Sequence, residues 1–277
     1  MSAEGPQTGL IRCAACGPYP LLGGVPILLA DPFTYCAQFR DSILATLAEH
    51  DLADRTAVAV IDAFSRGRGT SEVFADDWTE HEATSSAPPT FAHASLKKLA
   101  AEAKKNGPGP WLEKKLAQRG TVLEVGCGAG ERSEALAASV DRLLIGDRSL
   151  RAVLQATRRV RLALEDDAQV EGVVLDAEQL PIRKRALDCI IAENVVDLLD
   201  APEDFFAGAH AALKKGGSLL LTTPEPSLGS EDDSAVEHLA RQAKFKVVQK
   251  SDGLPWVRIN SSRFVEVYLV QALALRA

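Results

Sequence analysis

The chain of 277 residues is 46% hydrophobic and 25% charged, the balance of a soluble protein that buries a core in one large domain with an appendage, or in two modest ones. Its formal net charge of −7 argues against a nonspecific polyanion binder, since such binding is driven by Lys and Arg neutralising phosphates. No apolar run approaches the roughly 18–20 residues of a transmembrane helix. The opening "MSAEGPQTGL" lacks the charged and apolar regions of a signal peptide. Cys13, Cys16, Cys36, Cys127 and Cys189 are an odd, sparse set, which predicts a cytoplasmic chain with reduced thiols and no membrane partner.

Three stretches follow one another. Residues 1–32 are rich in Gly and Pro and hold the one closely spaced cysteine pair, Cys13 and Cys16. Residues 33–115 read as mainly helical: "FRDSILATLAEHDLADRTAVAVIDAF" has apolar residues at helical spacing, and "SLKKLAAEAKK" is a short polar helix. "NGPGPW" breaks the pattern. Residues 116–277 alternate short apolar runs with helical segments. Strands are expected at "TVLEVG", "RLLIGD", "VEGVVLDAE", "ALDCIIAEN" and "SLLLTTPEP". Helices are expected at "AGERSEALAASV", "LRAVLQATRRVRLALEDD" and "APEDFFAGAHAALKKGG", the last with a glycine stop. The tail adds a helix and a pair of strands read as an edge hairpin. Continuously apolar strands alternating with helices predict an α/β fold, a mainly parallel, doubly wound sheet covered on both faces.

"TVLEVGCGAGERSEAL" carries the first site. Val122, Leu123 and Val125 deliver the chain to Gly126, and Gly128 and Gly130 let it turn into a helix at about Glu131, so that a ligand can lie against bare backbone. The dinucleotide fingerprint wants glycine or alanine where Glu131 stands, and a carboxylate there would repel a pyrophosphate. A phosphate-loop lysine is also missing. The pattern is instead E-x-G-x-G-x-G, with Glu124 ahead of the glycines and Cys127 a small spacer between them. Asp147 ends the next strand, where an acid can accept both hydroxyls of a ribose. Asp176 closes "VEGVVLDAEQLP" within reach of the base of the same nucleoside. Glu193 and Asn194 end the following strand at the same rim.

The glycine loop, Asp147, "LDAEQLP", "ALDCIIAENVVDLL" and "ALKKGGSLLLTTPEP", in that order, resemble the class I S-adenosylmethionine-dependent methyltransferases over about residues 115–277. The resemblance implies a Rossmann-like, seven-stranded sheet with an antiparallel C-terminal hairpin, and S-adenosylmethionine as cofactor. It implies a cofactor site formed by Glu124, Gly126, Cys127, Gly128, Gly130, Asp147, Arg148, Asp176, Ala177, Glu178, Glu193 and Asn194. At Glu193 the contact is made either by the side chain or by the backbone of "AEN". That cofactor carries no phosphate, so no glycine is demanded at Glu131.

"CAACGPYPLLGGVPILL" resembles a short zinc-ribbon-like module that is fused to some methyltransferases and acts as a free-standing activator of others. A closed zinc site needs four ligands, and no Cys or His precedes Cys13. Cys36 and His50 are the remaining candidates, on helical stretches. The expectation is a degenerate ribbon without metal that keeps its strand as a docking element. Residues 33–115 sit where the superfamily places a lid or substrate-side region. Trp78 and His81 either face an acceptor or serve packing and solvent, with His93 and Tyr35 as weaker candidates. Methyl transfer needs alignment and water exclusion more than a fixed catalytic group, so no catalytic residue is named. The arginines of "RSLRAVLQATRRVRL" form either a solvated face or a nucleic-acid contact, and the absence of interleaved aromatics favours the former. The expected activity is methyl transfer to a small molecule. The alternatives are an RNA base methyltransferase, or a cofactor-binding, non-catalytic partner subunit.

Overall fold

The computed structural model describes residues 7–65, 93–116, 120–164, 169–231, 234–259 and 261–277. From Gly120 onward the apolar runs become strands β4 (Thr121–Val125), β5 (Arg142–Asp147), β6 (Val170–Val174), β7 (Leu187–Glu193) and β8 (Leu213–Thr223). The tail gives β9 (Lys246–Ile259) and β10 (Val265–Arg276). Together they form one seven-stranded sheet in the order β6-β5-β4-β7-β8-β10-β9. β4 to β8 pair in parallel, and β10 runs antiparallel between β8 and β9. The C-terminal pair is therefore a hairpin whose second strand lies inside the sheet, with β9 at the edge.

Helices cover both faces: α6 (Glu131–Ala137) and α7 (Leu150–Ala163) follow β4 and β5, and α8 (Pro202–Ala212) and α9 (Ala235–Gln242) flank β8. Alternation along β4 sends Val122 to one buried cluster and Leu123 and Val125 to the other. α7 shows why its sequence folds this way. Leu150, Val153, Leu154, Thr157 and Val160 recur at helical spacing and are buried. The Ser149 hydroxyl caps the helix, accepting from the Ala152 N–H at 3.3 Å. Each such apolar side chain contributes about 1.5–3 kcal/mol by leaving water.

The N-terminal stretch forms a small antiparallel sheet of β1 (Gly9–Cys13), β2 (Gly17–Leu22) and β3 (Val25–Pro26). Beyond it the chain docks on the sheet's edge strand. Ile27 bridges Val174 of β6 in parallel, and the Leu28 N–H donates to the Val174 carbonyl at 2.8 Å. Leu22, Val25 and Ile27 share one buried cluster with that face of the main sheet. The same cluster takes in Cys36, Leu47, Ile61 and Phe64 from α1 (Pro32–Gln38), α2 (Arg40–Glu49) and α3 (Arg55–Ser65). Cys13 and Cys16 face each other with their sulfurs 2.8 Å apart. Cys36 is buried apart from them, its thiol pushed up to about 12 by that burial. Among the described residues no three His, Cys, Asp or Glu gather in a group fit to hold a metal ion.

Two boundaries differ from the sequence reading. "NGPGPW" does interrupt the helix, yet Pro108 at once begins another, so α4 (Ala94–Asn106) and α5 (Pro108–Lys115) meet at Gly107. A Cβ at Gly107 would lie 2.3 Å from the Ala103 carbonyl. α8 ends at Ala212, ahead of the expected glycine stop, because Leu213 already pairs with Leu187 as the start of β8. No helix among the described residues is long and apolar enough to cross a membrane.

Candidate functional site

Strand register sets the site. Val125 pairs with Gly146 on one side and Ala192 on the other, and Asp147 pairs with Val174. Gly126, Asp147, Asp176 and Glu193 therefore stand along one edge of the sheet. The strand order reverses between β4 and β7, and open α/β sheets bind ligands in that crevice, beyond the carboxyl ends of the strands.

The glycine loop is anchored by the Gly126 N–H, which donates to the Gly146 carbonyl at 2.8 Å. Gly126, Gly128 and Gly130 all have left-handed backbone, with φ of 73°, 48° and 79°. At two of them the protein itself fills the space. A Cβ on Gly126 would lie 2.4 Å from Val195, and one on Gly130 would lie 2.5 Å from the Ala156 backbone. The sequence reading had assigned that room to a ligand; here α7 and the turn after β7 occupy it.

Asp147 is the centre of the edge. Its Oδ2 accepts from the Gly128 N–H at 3.2 Å and its Oδ1 from the Ser149 N–H at 2.9 Å. Burial raises its carboxyl above the ordinary range, against the pull of the Ser149 and Gly128 amides. The Arg148 amide is a third backbone donor to the same carboxylate. That donor-acceptor set fits a vicinal diol beside a bare glycine backbone, as a ribose requires.

The other expected residues lie at varied depth. Glu124 is only 3% exposed and accepts from the Ser133 hydroxyl at 2.5 Å, beneath the loop. Burial pushes its carboxyl up to about 8. Cys127 is buried and Arg148 is exposed. Asp176 Oδ1 accepts from the Glu178 N–H at 3.0 Å, capping a single turn over Ala177–Gln179, and Ala177 is buried there. Glu178 in turn accepts from the Ala201 N–H at 2.7 Å. Asn194 has φ 55°; its N–H donates to the Thr222 carbonyl, and its Oδ1 accepts from the Thr222 hydroxyl at 2.8 Å.

Sequence reasoning missed Arg132. Its Nε donates to Glu193 Oε2 at 2.9 Å while its Nη1 pairs with Glu113 of α5. The guanidinium lies against Gly109, where any Cβ would overlap it. One side chain on α6 thus fastens α5 to the end of β7. No spacing rule finds it, because the three partners come from three elements.

Tyr35 lies against the start of α7. Its hydroxyl accepts from the Leu150 N–H at 3.2 Å, and the Asp147 charge is close enough to add to the burial that raises it. His93 caps α4, its Nδ1 accepting from the Ser95 N–H at 3.2 Å. Trp78 and His81 lie outside the described residues.

Residues 123–221 match the family model for a methyltransferase domain. This stretch is a methyltransferase domain. The match begins inside β4 and ends inside β8, so it contains the glycine loop, Asp147, Asp176 and Glu193. The cofactor of the methyltransferase domain is S-adenosylmethionine. Among curated proteins the chain is similar to ribosomal RNA small subunit methyltransferase C of Erwinia tasmaniensis, 30% identical over 138 residues. That match covers 47% of this chain and 40% of the relative, so the chain spans about two fifths of its length. In fold, the methyltransferase domain is similar to a Bacillus halodurans putative methyltransferase, with a TM-score of 0.51 and 17% identity over 61% of this chain and 97% of that one. It is also similar to a chain from the complex of the Haloferax volcanii Trm112 methyltransferase activator with a putative methyltransferase. There the TM-score is 0.52 and the identity 15%, over 66% of this chain and 93% of that one.

Proposed function

We propose that the chain transfers a methyl group from S-adenosylmethionine to a small-molecule acceptor. The observation that carries this reading is the link between Gly128 and the Asp147 carboxylate at the reversal point of the sheet. In this reading Asp147 holds the ribose, with the loop from Gly126 to Gly130 beside it and Glu124 and Cys127 beneath. Asp176, Ala177 and Glu178 border the base, next to Arg148. Glu193 and Asn194 form the wall between β4 and β7.

The bound cofactor supplies an already activated methyl group on a sulfonium. The chain's own residues then have three tasks: to orient the nucleoside, to align the acceptor, and to exclude water. Arg132 serves the second, since it holds α5 against the end of β7 and fixes one side of the crevice. The reading treats 116–277 as the methyltransferase unit and 33–115 as the substrate-side region. It treats 1–32 as a degenerate ribbon that docks through Ile27 and Leu28. All five cysteines are free thiols, which supports a cytoplasmic setting.

Calorimetry with S-adenosylhomocysteine tests the cofactor site. Asp147→Ala is expected to weaken binding at least tenfold, and unchanged binding would overturn the reading. A second reading, methylation of an RNA base, is favoured by the likeness to a ribosomal RNA methyltransferase. RNA that co-purifies with the protein and accepts methyl groups from the cofactor would replace the small-molecule reading.

A further inference from the structure

The far half of α7 borders a second recess, outside the candidate site. It has a volume of about 590 Å³, within the range of small-molecule sites, and forms where α7, the end of α2 and the β2–β3 turn meet the edge strand β6. Arg161 lies eleven residues beyond Leu150, about 16 Å along the helix at ~1.5 Å per residue. The recess is therefore remote from the end of α7 that adjoins Asp147.

Three observations give it a chemistry. First, the arginines of α7 divide. Arg151 pairs with Glu49 and Arg159 with Glu134, whereas Arg158 and Arg161, which line the recess, make no ion pair or side-chain hydrogen bond with any described residue. Secondly, Thr157 lines the same recess at 5% exposure, with its hydroxyl sealed beneath the surface and without a hydrogen-bond partner among the described residues. Thirdly, Leu52 and Leu154 line the recess with apolar surface, and Leu162 stands 76% exposed at its edge.

His50 and Asp51 are the other titratable groups facing this space. Burial and the Arg158 charge hold the His50 imidazole below its ordinary value. Among the described residues of the lining Asp51 is the one acid, against two guanidinium groups.

We propose that this recess binds a small amphipathic anion, a carboxylate or phosphate monoester on an apolar body. The headgroup lies between Arg158 and Arg161, and the body rests on Leu52 and Leu154. Among its described lining residues there is no aromatic side chain for stacking, which nucleic-acid recognition would use.

The test is calorimetry on the full chain with phenyl phosphate and 4-phenylbutyrate. Inorganic phosphate and the neutral 4-phenylbutanol serve as controls. At least one amphipathic anion is expected to bind tenfold more tightly than either control, and the two anions separate the phosphate from the carboxylate source. Arg158→Gln with Arg161→Gln, both on the surface, is expected to weaken that binding at least tenfold. Thr157→Val keeps the volume and alters only a hydroxyl sealed beneath the recess, so it is expected to leave binding unchanged. S-adenosylhomocysteine binding is unchanged in all variants, which separates this site from the cofactor site. Equal binding of charged and neutral probes, or full binding by the double variant, would overturn the proposal. So would loss of RNA binding alone in that variant, which would assign the two arginines to nucleic acid.

Discussion

The Tyr35 hydroxyl accepts a hydrogen bond from the Leu150 N–H, so an N-terminal helix residue caps the helix that follows Asp147. Tyr35→Phe leaves that N–H without its partner. The expected cost is about 1–3 kcal/mol of unfolding free energy, read from the urea midpoint. S-adenosylhomocysteine should bind about threefold more weakly, at ~0.6 kcal/mol, because the Ser149 turn that donates to Asp147 loosens. An unchanged midpoint would mean that water replaces the phenol.

Leu28→Pro removes the N–H that donates to Val174 and leaves the rest of the docking strand in place. A loss of about 1–3 kcal/mol is expected, together with faster amide exchange in residues 170–174. If exchange there stays slow, the edge is protected by something other than the N-terminal stretch.

Arg132→Ala frees both Glu193 and Glu113. These pairs are partly exposed, so the expected loss is only about 0.5–1 kcal/mol. The clearer readout is local, as the amides of α5 should exchange about two- to fivefold faster. Arg132→Lys should not restore them, because a single ammonium cannot present Nε and Nη1 to two carboxylates at once.

Glu124 predicts a pH dependence. Its carboxyl is pushed up to about 8 in the folded chain by burial, while the unfolded value is about 4.3. Between these values the native state holds a proton that the unfolded chain has released, so stability declines as pH rises through that window. Glu124→Gln removes the titration. Urea midpoints between about pH 5 and 8 should then fall less in the variant than in the wild type. Parallel curves would show that Glu124 is ionised in the folded protein.

Gly126→Ala strains a left-handed residue, at about 1–2 kcal/mol, and drives a methyl group into Val195. Adding Val195→Ala should recover the steric part, giving a coupling of about 0.5–3 kcal/mol in a double-mutant cycle. Simple additivity would mean that the glycine serves the ligand side alone.

The parallel strands were legible because a strand buried on both faces leaves a short run of apolar residues, and the acids ending β5 and β7 stand out against such runs. Asp147 was found in this way. The reason for Gly126 and Gly130 was not, since a glycine in a sequence does not say whether ligand or protein fills the place of its side chain. Arg132 was invisible for another reason. Its partners lie 19 and 61 residues away, on elements brought together only by packing. Tyr35 carried a hint, a lone phenol in a helical stretch, but nothing local tied it to Leu150, which lies 115 residues on.

The bridge between Ile27 and Val174 also limits how copies of this chain can associate through their strands. An open sheet ordinarily has two free borders, and a second copy that adds to one presents another in turn, so growth need not stop. Here the β6 border is closed at Val174 by the chain itself, and β9 forms the other border. Strand addition at the β6 border would have to displace this bridge, whereas β9 can be extended as it stands. The N-terminal stretch therefore guards one border of the main sheet, whatever else it does for the site.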